Sequence, residues 1–225
     1  MSDLTTKELA HRLGVSRRHA VELVSSRAIV GRQLASGAWL VDSDAVARYE
    51  VEIRRGRGRR LDTATAWGLL WILSGLDAPW LTPSTRSRLH ARLRTSTPDA
   101  LARAVAPRTT AHRYQAANAA MAAEGLIATG RAVAGQLGVG LMDDNRAAIG
   151  YAPSSAAAYA ATRFMLESPS GQHVIYDNTL PVPFTGKCMP AAVIAADLAL
   201  STDTRERAGG LAALENLRIA WLADR

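Results

Sequence analysis

The sequence predicts a mainly α protein of the α+β class: a small N-terminal helical unit with a hairpin, a basic arm, and a larger helical domain with a small sheet. Three observations carry that expectation. The first fifty residues alternate helix caps, short apolar stripes and one Ser-Gly turn. The run RRGRGRR, Arg54–Arg60, holds five arginines and two glycines with no acid, which favours neither a core nor a stiff helix. Beyond it, apolar stretches at helical spacing alternate with four short strand-like runs. At 225 residues the chain suits one small and one medium domain, here 1–52 and 62–225 with the arm at 53–61.

Taken in order, Thr5 and Glu8 have the spacing of a capping box. Leu9 and Leu13 then share one face of a helix that Gly14 stops. Ser16 caps a second helix whose inward stripe is expected to be Ala20, Val21 and Val24. That stripe leaves Arg17, Arg18 and His19 around the first turn, and Glu22 and Ser25 further along the exposed side. Two short helices with a Gly-containing turn, the second opening on basic and polar groups, form a helix-turn-helix. Such a second helix enters the DNA major groove with its N-terminal residues against base edges. Ala28–Leu34 and Ala38–Val41 read as a hairpin turning at Ser36-Gly37, with Arg32 and Gln33 standing on it as a wing. Asp42 or Ser43 caps a short closing helix with Val46 and Tyr49 inward.

The stretch LTTKELAHRLGVS, a second helix and a hairpin ending in WLVDSDAVARY together resemble the winged helix-turn-helix of the excisionase and MerR-like group. Arg27 departs from the pattern, standing where such proteins often have Gly before the wing. The resemblance implies a DNA-binding fold for roughly the first fifty residues.

Charge agrees with a polyanionic partner. The net charge is +7, and up to Arg60 there are twelve Lys/Arg against seven Asp/Glu, leaving fifteen against thirteen for the rest. Arginine dominates the excess, and its planar fork suits phosphate and guanine. In the arm, Arg54, Arg55, Arg57, Arg59 and Arg60 are expected to track phosphates or the minor groove, since Arg-Gly-Arg resembles the core of an AT-hook.

Past the arm, Trp67, Leu70, Trp71 and Leu73 mark a helix buried on all sides and ended by Gly75. Thr82-Pro83 then opens a helix over 83–94, and Thr97-Pro98 repeats the device. The 83–94 helix has no acid from Ala78 to Pro98 and one narrow inward edge, Leu89 and Leu93. With Ser84, Thr85, Arg86 and Arg88 leading, it is expected to supply a second DNA contact. After Pro107, HRYQAA, LIAT, RAAIGYA and HVIYDN read as strands. Asn118–Glu124, Gly130–Leu137, Ser154–Met165, Met189–Leu200 and Thr204–Leu222 read as helices, the last with a core stripe of Leu211, Leu214, Leu217 and Trp221.

TAWGLLWILSG, PWLTPSTRSRLHARL, ATGRAVAGQLGVGLMDD and AAVIAADLALSTDTRERAGGLAALENL together resemble actinobacterial proteins that join a helix-turn-helix to a type IV, abortive-infection antitoxin domain. The overall build is also similar to immunity repressors of temperate actinobacterial phages. The first resemblance implies a nucleotidyltransferase toxin as partner. The second implies an asymmetric operator held by two domains.

Catalytic and metal-binding patterns are not found. Gly186-Lys187 lacks the upstream glycine of a phosphate loop, Gly135, Gly138 and Gly140 have the wrong spacing for a dinucleotide turn, and adjacent Asp143 and Asp144 suit a turn. His112, His173 and Cys188 form no ligand spacing. Cys188 is the only cysteine, which excludes an intramolecular disulfide, and it reads as a buried small hydrophobe. No signal-peptide pattern precedes the first helix, and the most apolar run, Trp67–Leu73, is far short of the roughly 20 residues of a membrane span. The expectation is a cytoplasmic, non-enzymatic repressor without cofactor. It binds double-stranded operator DNA as a monomer or weak dimer, with a toxin-neutralising antitoxin as the alternative.

Overall fold

A computed structural model describes residues 3–26, 28–56 and 60–224, with residues 51–56 described as backbone only. The protein is α+β, about half helical, with two small sheets. It divides into two compact units, Met1–Arg57 and Gly58–Arg225.

The first unit begins with β1 (Asp3–Thr5) and α1 (Thr6–Leu13). Thr5 Oγ1 accepts from the Glu8 backbone N–H at 3.3 Å while Glu8 Oε2 accepts from the Thr5 N–H at 2.8 Å, the capping box that the spacing predicts. Those bonds hold the Glu8 carboxyl below the usual carboxylate range. Gly14 ends α1 with φ 66°, a left-handed conformation that side chains disfavour. After α2 (Arg17–Ser25) come β2 (Gly31–Gln33), β3 (Trp39–Asp42) and α3 (Ser43–Gly56). The sheet runs β1-β3-β2, antiparallel throughout. Leu9, Ala20, Leu23, Val24, Ile29, Val41 and Val46 close a core of its own.

Two expectations for this unit need correction. The inward stripe of α2 is Ala20, Leu23 and Val24, and Val21 is exposed. In a nine-residue helix the apolar residues fit two neighbouring stripes, and contact with α1 and β3 selects the one carrying the larger Leu. The closing helix is also long, fourteen residues, and takes Arg54 and Arg55 into its last turns. Arginine is a good helix former and glycine first interrupts the run at Gly56, so like-charge repulsion of a few tenths of a kcal/mol per pair does not stop it.

The second unit opens with α4 (Thr63–Leu73), capped by Asp62, then α5 (Pro83–Thr95) and α6 (Pro98–Val105), each capped by a threonine with proline following. A 3-10 turn, Ala106–Arg108, leads to β4 (Ala111–Gln115), α7 (Ala119–Ala123), β5 (Ile127–Ala128) and a 3-10 segment, Gly130–Leu137. There follow β6 (Ile149–Tyr151), α8 (Ala156–Thr162), β7 (Leu166–Glu167), β8 (His173–Tyr176), α9 (Ala191–Ala199) and α10 (Thr204–Ala223). The sheet order is β5-β6-β8-β4-β7, with only β6 and β8 parallel. The four strand-like runs all pair, and β7 is an addition. Gly130–Leu137 is 3-10 with a kink at Val133, in place of the expected α-helix. Cys188 is half-buried, its thiol donating to Gln136 Oε1 at 3.4 Å, because it sits in a connecting loop bridged to Ala128.

Trp67 is fully buried in α4, and α9 is buried on nearly every side. A side chain at Gly210 of α10 would place its Cβ 2.3 Å from Ala199 N and 2.7 Å from Ala195 O, so α9 and α10 meet backbone to backbone. The ion pair of Arg108 and Asp197 lies in this interior, both side chains essentially inaccessible. Among the described residues no helix is long and apolar enough to cross a membrane.

Two outcomes follow from this packing. Gly210→Ala should lower stability by about 1–3 kcal/mol in urea unfolding, although alanine is intrinsically the better helix former by roughly 1 kcal/mol. His173 is buried, and its Nδ1 accepts the Ala148 N–H at 3.0 Å, a bond that only the ring unprotonated at Nδ1 can make. Burial pushes its pKa down, so the unfolded chain binds a proton that the native state refuses. Stability is therefore full above about pH 6.5 and falls as pH drops below it. His173→Asn, whose amide oxygen can replace Nδ1 as acceptor, should shrink the loss measured between about pH 7.5 and 5.5.

Candidate nucleic-acid interface

The first turn of α2 is built by local chemistry. Val15 N–H donates to Ala10 O at 3.0 Å, closing the turn after α1. Ser16, extended at φ −67° and ψ 152°, accepts the His19 N–H on its hydroxyl at 3.2 Å. Arg17, Arg18 and His19 are all exposed around the capped end, with Glu22 one turn on. His19 Nδ1 lies 3.4 Å from Glu22 Oε2. Among the described residues neither Arg17 nor Arg18 meets a carboxylate. By contrast Arg12 grips Glu50 of α3 through two nitrogens, at 3.0 and 3.3 Å, and serves the fold.

On the hairpin, Arg32 is exposed but donates to Asp3 Oδ2 at 2.9 Å. Its charge is therefore half-spoken for by β1, an element that the sequence reading does not include. In the arm, Arg57 and Arg59 lie outside the described residues, as do the side chains of Arg54 and Arg55. Arg60 is exposed at the start of the second unit.

The other predicted cluster is narrower than expected. Thr82 Oγ1 accepts the Thr85 N–H at 3.3 Å and lies 3.2 and 3.0 Å from the hydroxyls of Ser84 and Thr85, so these two belong to the cap. Arg86 Nη1 donates to Asp77 Oδ1 at 2.8 Å and Nη2 to Ala78 O at 3.1 Å. The Arg86 guanidinium in turn holds the Asp77 carboxyl below its usual range. The acid lies just upstream of the acid-free stretch, in the loop that folds back over the helix start. Arg88 is exposed, bonded only to Thr85 Oγ1 at 3.0 Å among the described residues, and Arg94 lies exposed one and a half turns on, 6.0 Å from the Trp221 ring. Among the described residues Arg88 and Arg94 thus meet no carboxylate.

An open groove of about 790 Å³ in the second unit is lined by Arg131, Asp143, Asp144, Arg146, Arg205 and Glu206 among others. Its charges largely satisfy one another. Arg146 chelates Asp144 at 2.9 and 2.7 Å and holds that carboxyl far below the usual range, Arg131 lies 3.7 Å from Glu206, and Asp143 accepts the Gly135 N–H at 2.7 Å. His112 sits between Asp177 and Glu167, at 3.0 and 3.7 Å. Among the described residues no group of three or more His, Cys, Asp or Glu is placed to hold a metal ion. Among the described residues the charges of the groove and of the Arg108–Asp197 pair are largely taken up by one another, whereas Arg17 and Arg18 on the capped end of α2 meet no carboxylate. Comparison with protein-family models, curated proteins and solved structures found no match in any of the three.

Proposed function

We propose that the protein is a sequence-specific double-stranded DNA-binding transcriptional repressor whose first unit is a winged helix-turn-helix. The observation that carries this reading is the capped start of α2, where Arg17 and Arg18 stand exposed with no carboxylate among the described residues to neutralise them. Such a helix end offers forked guanidinium donors for guanine O6 and N7 and for phosphate. Arg17, Arg18 and His19 read bases, with Ser16 fixing the helix start and Glu22 flanking them. Arg54 and Arg55 at the end of α3, with Arg57, Arg59 and Arg60 after them, follow the backbone or minor groove, and Arg88 of α5 is a second, phosphate-binding anchor. Repression is by occlusion of a promoter or of elongating polymerase, on a site that need not be palindromic.

A second reading, a rear unit that neutralises a nucleotidyltransferase toxin while the front unit autoregulates the operon, has one observation in its favour. Phe164, held at φ 52°, is 90% exposed, and Leu166 two residues on is 71% exposed. Large exposed apolar side chains suit a protein partner. Phe164→Ser should leave operator binding intact under the repressor reading, and should abolish rescue from a co-expressed toxin under the antitoxin reading.

Arg18→Ala should cost about 1–3 kcal/mol of operator affinity and relax the preference at one base position. Arg88→Ala should weaken all sequences alike and lower the slope of log affinity against log salt by about 0.9. Footprinting at single-base resolution together with salt titration reads both. A flat salt dependence, or no protected sequence, would exclude the repressor.

A further inference from the structure

Val21 is the apolar residue of α2 that the core does not use. Its neighbours Ala20, Leu23 and Val24 are buried, while Val21 is 36% exposed and lies outside the apolar cluster of the first unit. Arg18, Val21, Glu22 and Ser25 stand at positions i, i+3, i+4 and i+7, one continuous face of the helix, and all four are exposed. Valine at an exposed helix position lowers helix propensity relative to alanine. Local stability therefore gives no reason for it.

The same face carries Glu22, whose carboxylate is 71% exposed. An anion on this face is repelled by phosphates. It suits a groove floor, where cytosine and adenine present amino donors and thymine presents a methyl group. Resting on the DNA-reading role of α2, we propose that Val21 is a specificity-determining residue that recognises the 5-methyl group of a thymine in the major groove, beside the base read by Arg18. The contact is apolar, so it contributes sequence preference and no salt dependence.

The test uses the full-length protein. Duplexes enriched from a random library define the preferred site, and each thymine in it is then replaced singly by deoxyuridine, which removes only the methyl group. One replacement should weaken wild-type binding about three- to fivefold, as loss of one buried methyl implies. Val21→Ala, which leaves the buried stripe Ala20, Leu23 and Val24 unchanged and raises helix propensity, should bind the thymine and deoxyuridine duplexes equally at that position and keep its preference elsewhere. A preferred site at which no thymine replacement matters, or a penalty that Val21→Ala leaves unchanged, overturns the thymine assignment and leaves DNA reading by Arg17 and Arg18 standing. Failure to enrich any sequence overturns both.

Discussion

The second unit is organised around one buried charge pair. Arg108, at the end of the 3-10 turn after α6, donates through Nη2 to Asp197 of α9, and both side chains are out of reach of water. Desolvating two such ions costs several kcal/mol each. The cost is offset by partners for both terminal nitrogens of the guanidinium and for both carboxylate oxygens, while Arg108 Nε is buried with no hydrogen-bond partner among the described residues. Arg108 Nη1 donates to Val105 O at 3.1 Å and Nη2 to the Tyr151 hydroxyl at 3.1 Å, while Asp197 also accepts from Thr129 Oγ1 at 2.6 Å. Burial pushes the Asp197 carboxyl up, and the guanidinium and two hydroxyls oppose that shift. The Arg108 guanidinium lies 5.4 Å from the Trp67 ring, and Trp67 Nε1 donates to Thr179 at 3.0 Å. Helices α4 and α9, strand β6, the residue after β5 and the loop after β8 are thereby fixed to one point. A buried pair of this kind is better evidence for a single packing arrangement than for net stability.

Arginines elsewhere divide the same way, into those that hold the fold and those that do not. Arg12, Arg32, Arg86, Arg103, Arg146 and Arg218 each have a carboxylate within 3.0 Å. The net charge of +7 therefore overstates what a polyanion meets at any one surface. Counting arginines by segment places the basic regions correctly but cannot tell a paired side chain from an open one. Pairing depends on acids brought in by folding, such as Asp3 from β1 and Asp77 from the loop before α5.

Legibility follows the range of the interaction. Caps are read from three or four neighbouring residues, and Thr5 with Glu8, Ser16, Thr82 and Thr97 all stand where local spacing puts them. Helix α4 is legible because it is apolar all round, and the strands of the second sheet because β-branched and aromatic residues cluster in them. What escapes is set by tertiary partners. Strands β1 and β7 each hold a single apolar residue, Leu4 and Leu166, which leaves no alternation to register, and they pair where β3 and β4 offer free edges. Arg108 and Asp197 lie 89 positions apart, and Gly210 looks like any helix-weakening glycine until α9 is beside it. At the candidate site, the first turn of α2 is legible in full. Its outward face is not, because assigning Val21 to the core hides the only apolar group on that face.

That outward face also explains how α2, in the DNA-reading role proposed for it, can vary without unfolding its unit. The core residues Ala20, Leu23 and Val24 alternate along α2 with the exposed Arg18, Val21, Glu22 and Ser25, and the helix start is held by the Ser16 hydroxyl and the turn after Gly14. No exposed member of the face takes part in either device. Substitutions there act on what the helix meets, at a stability cost within the few tenths of a kcal/mol typical of surface positions. The first unit has its own core, so such changes leave the Arg108–Asp197 frame untouched. The residues to which the proposed role assigns target preference are thus distinct from those that hold the first unit's core.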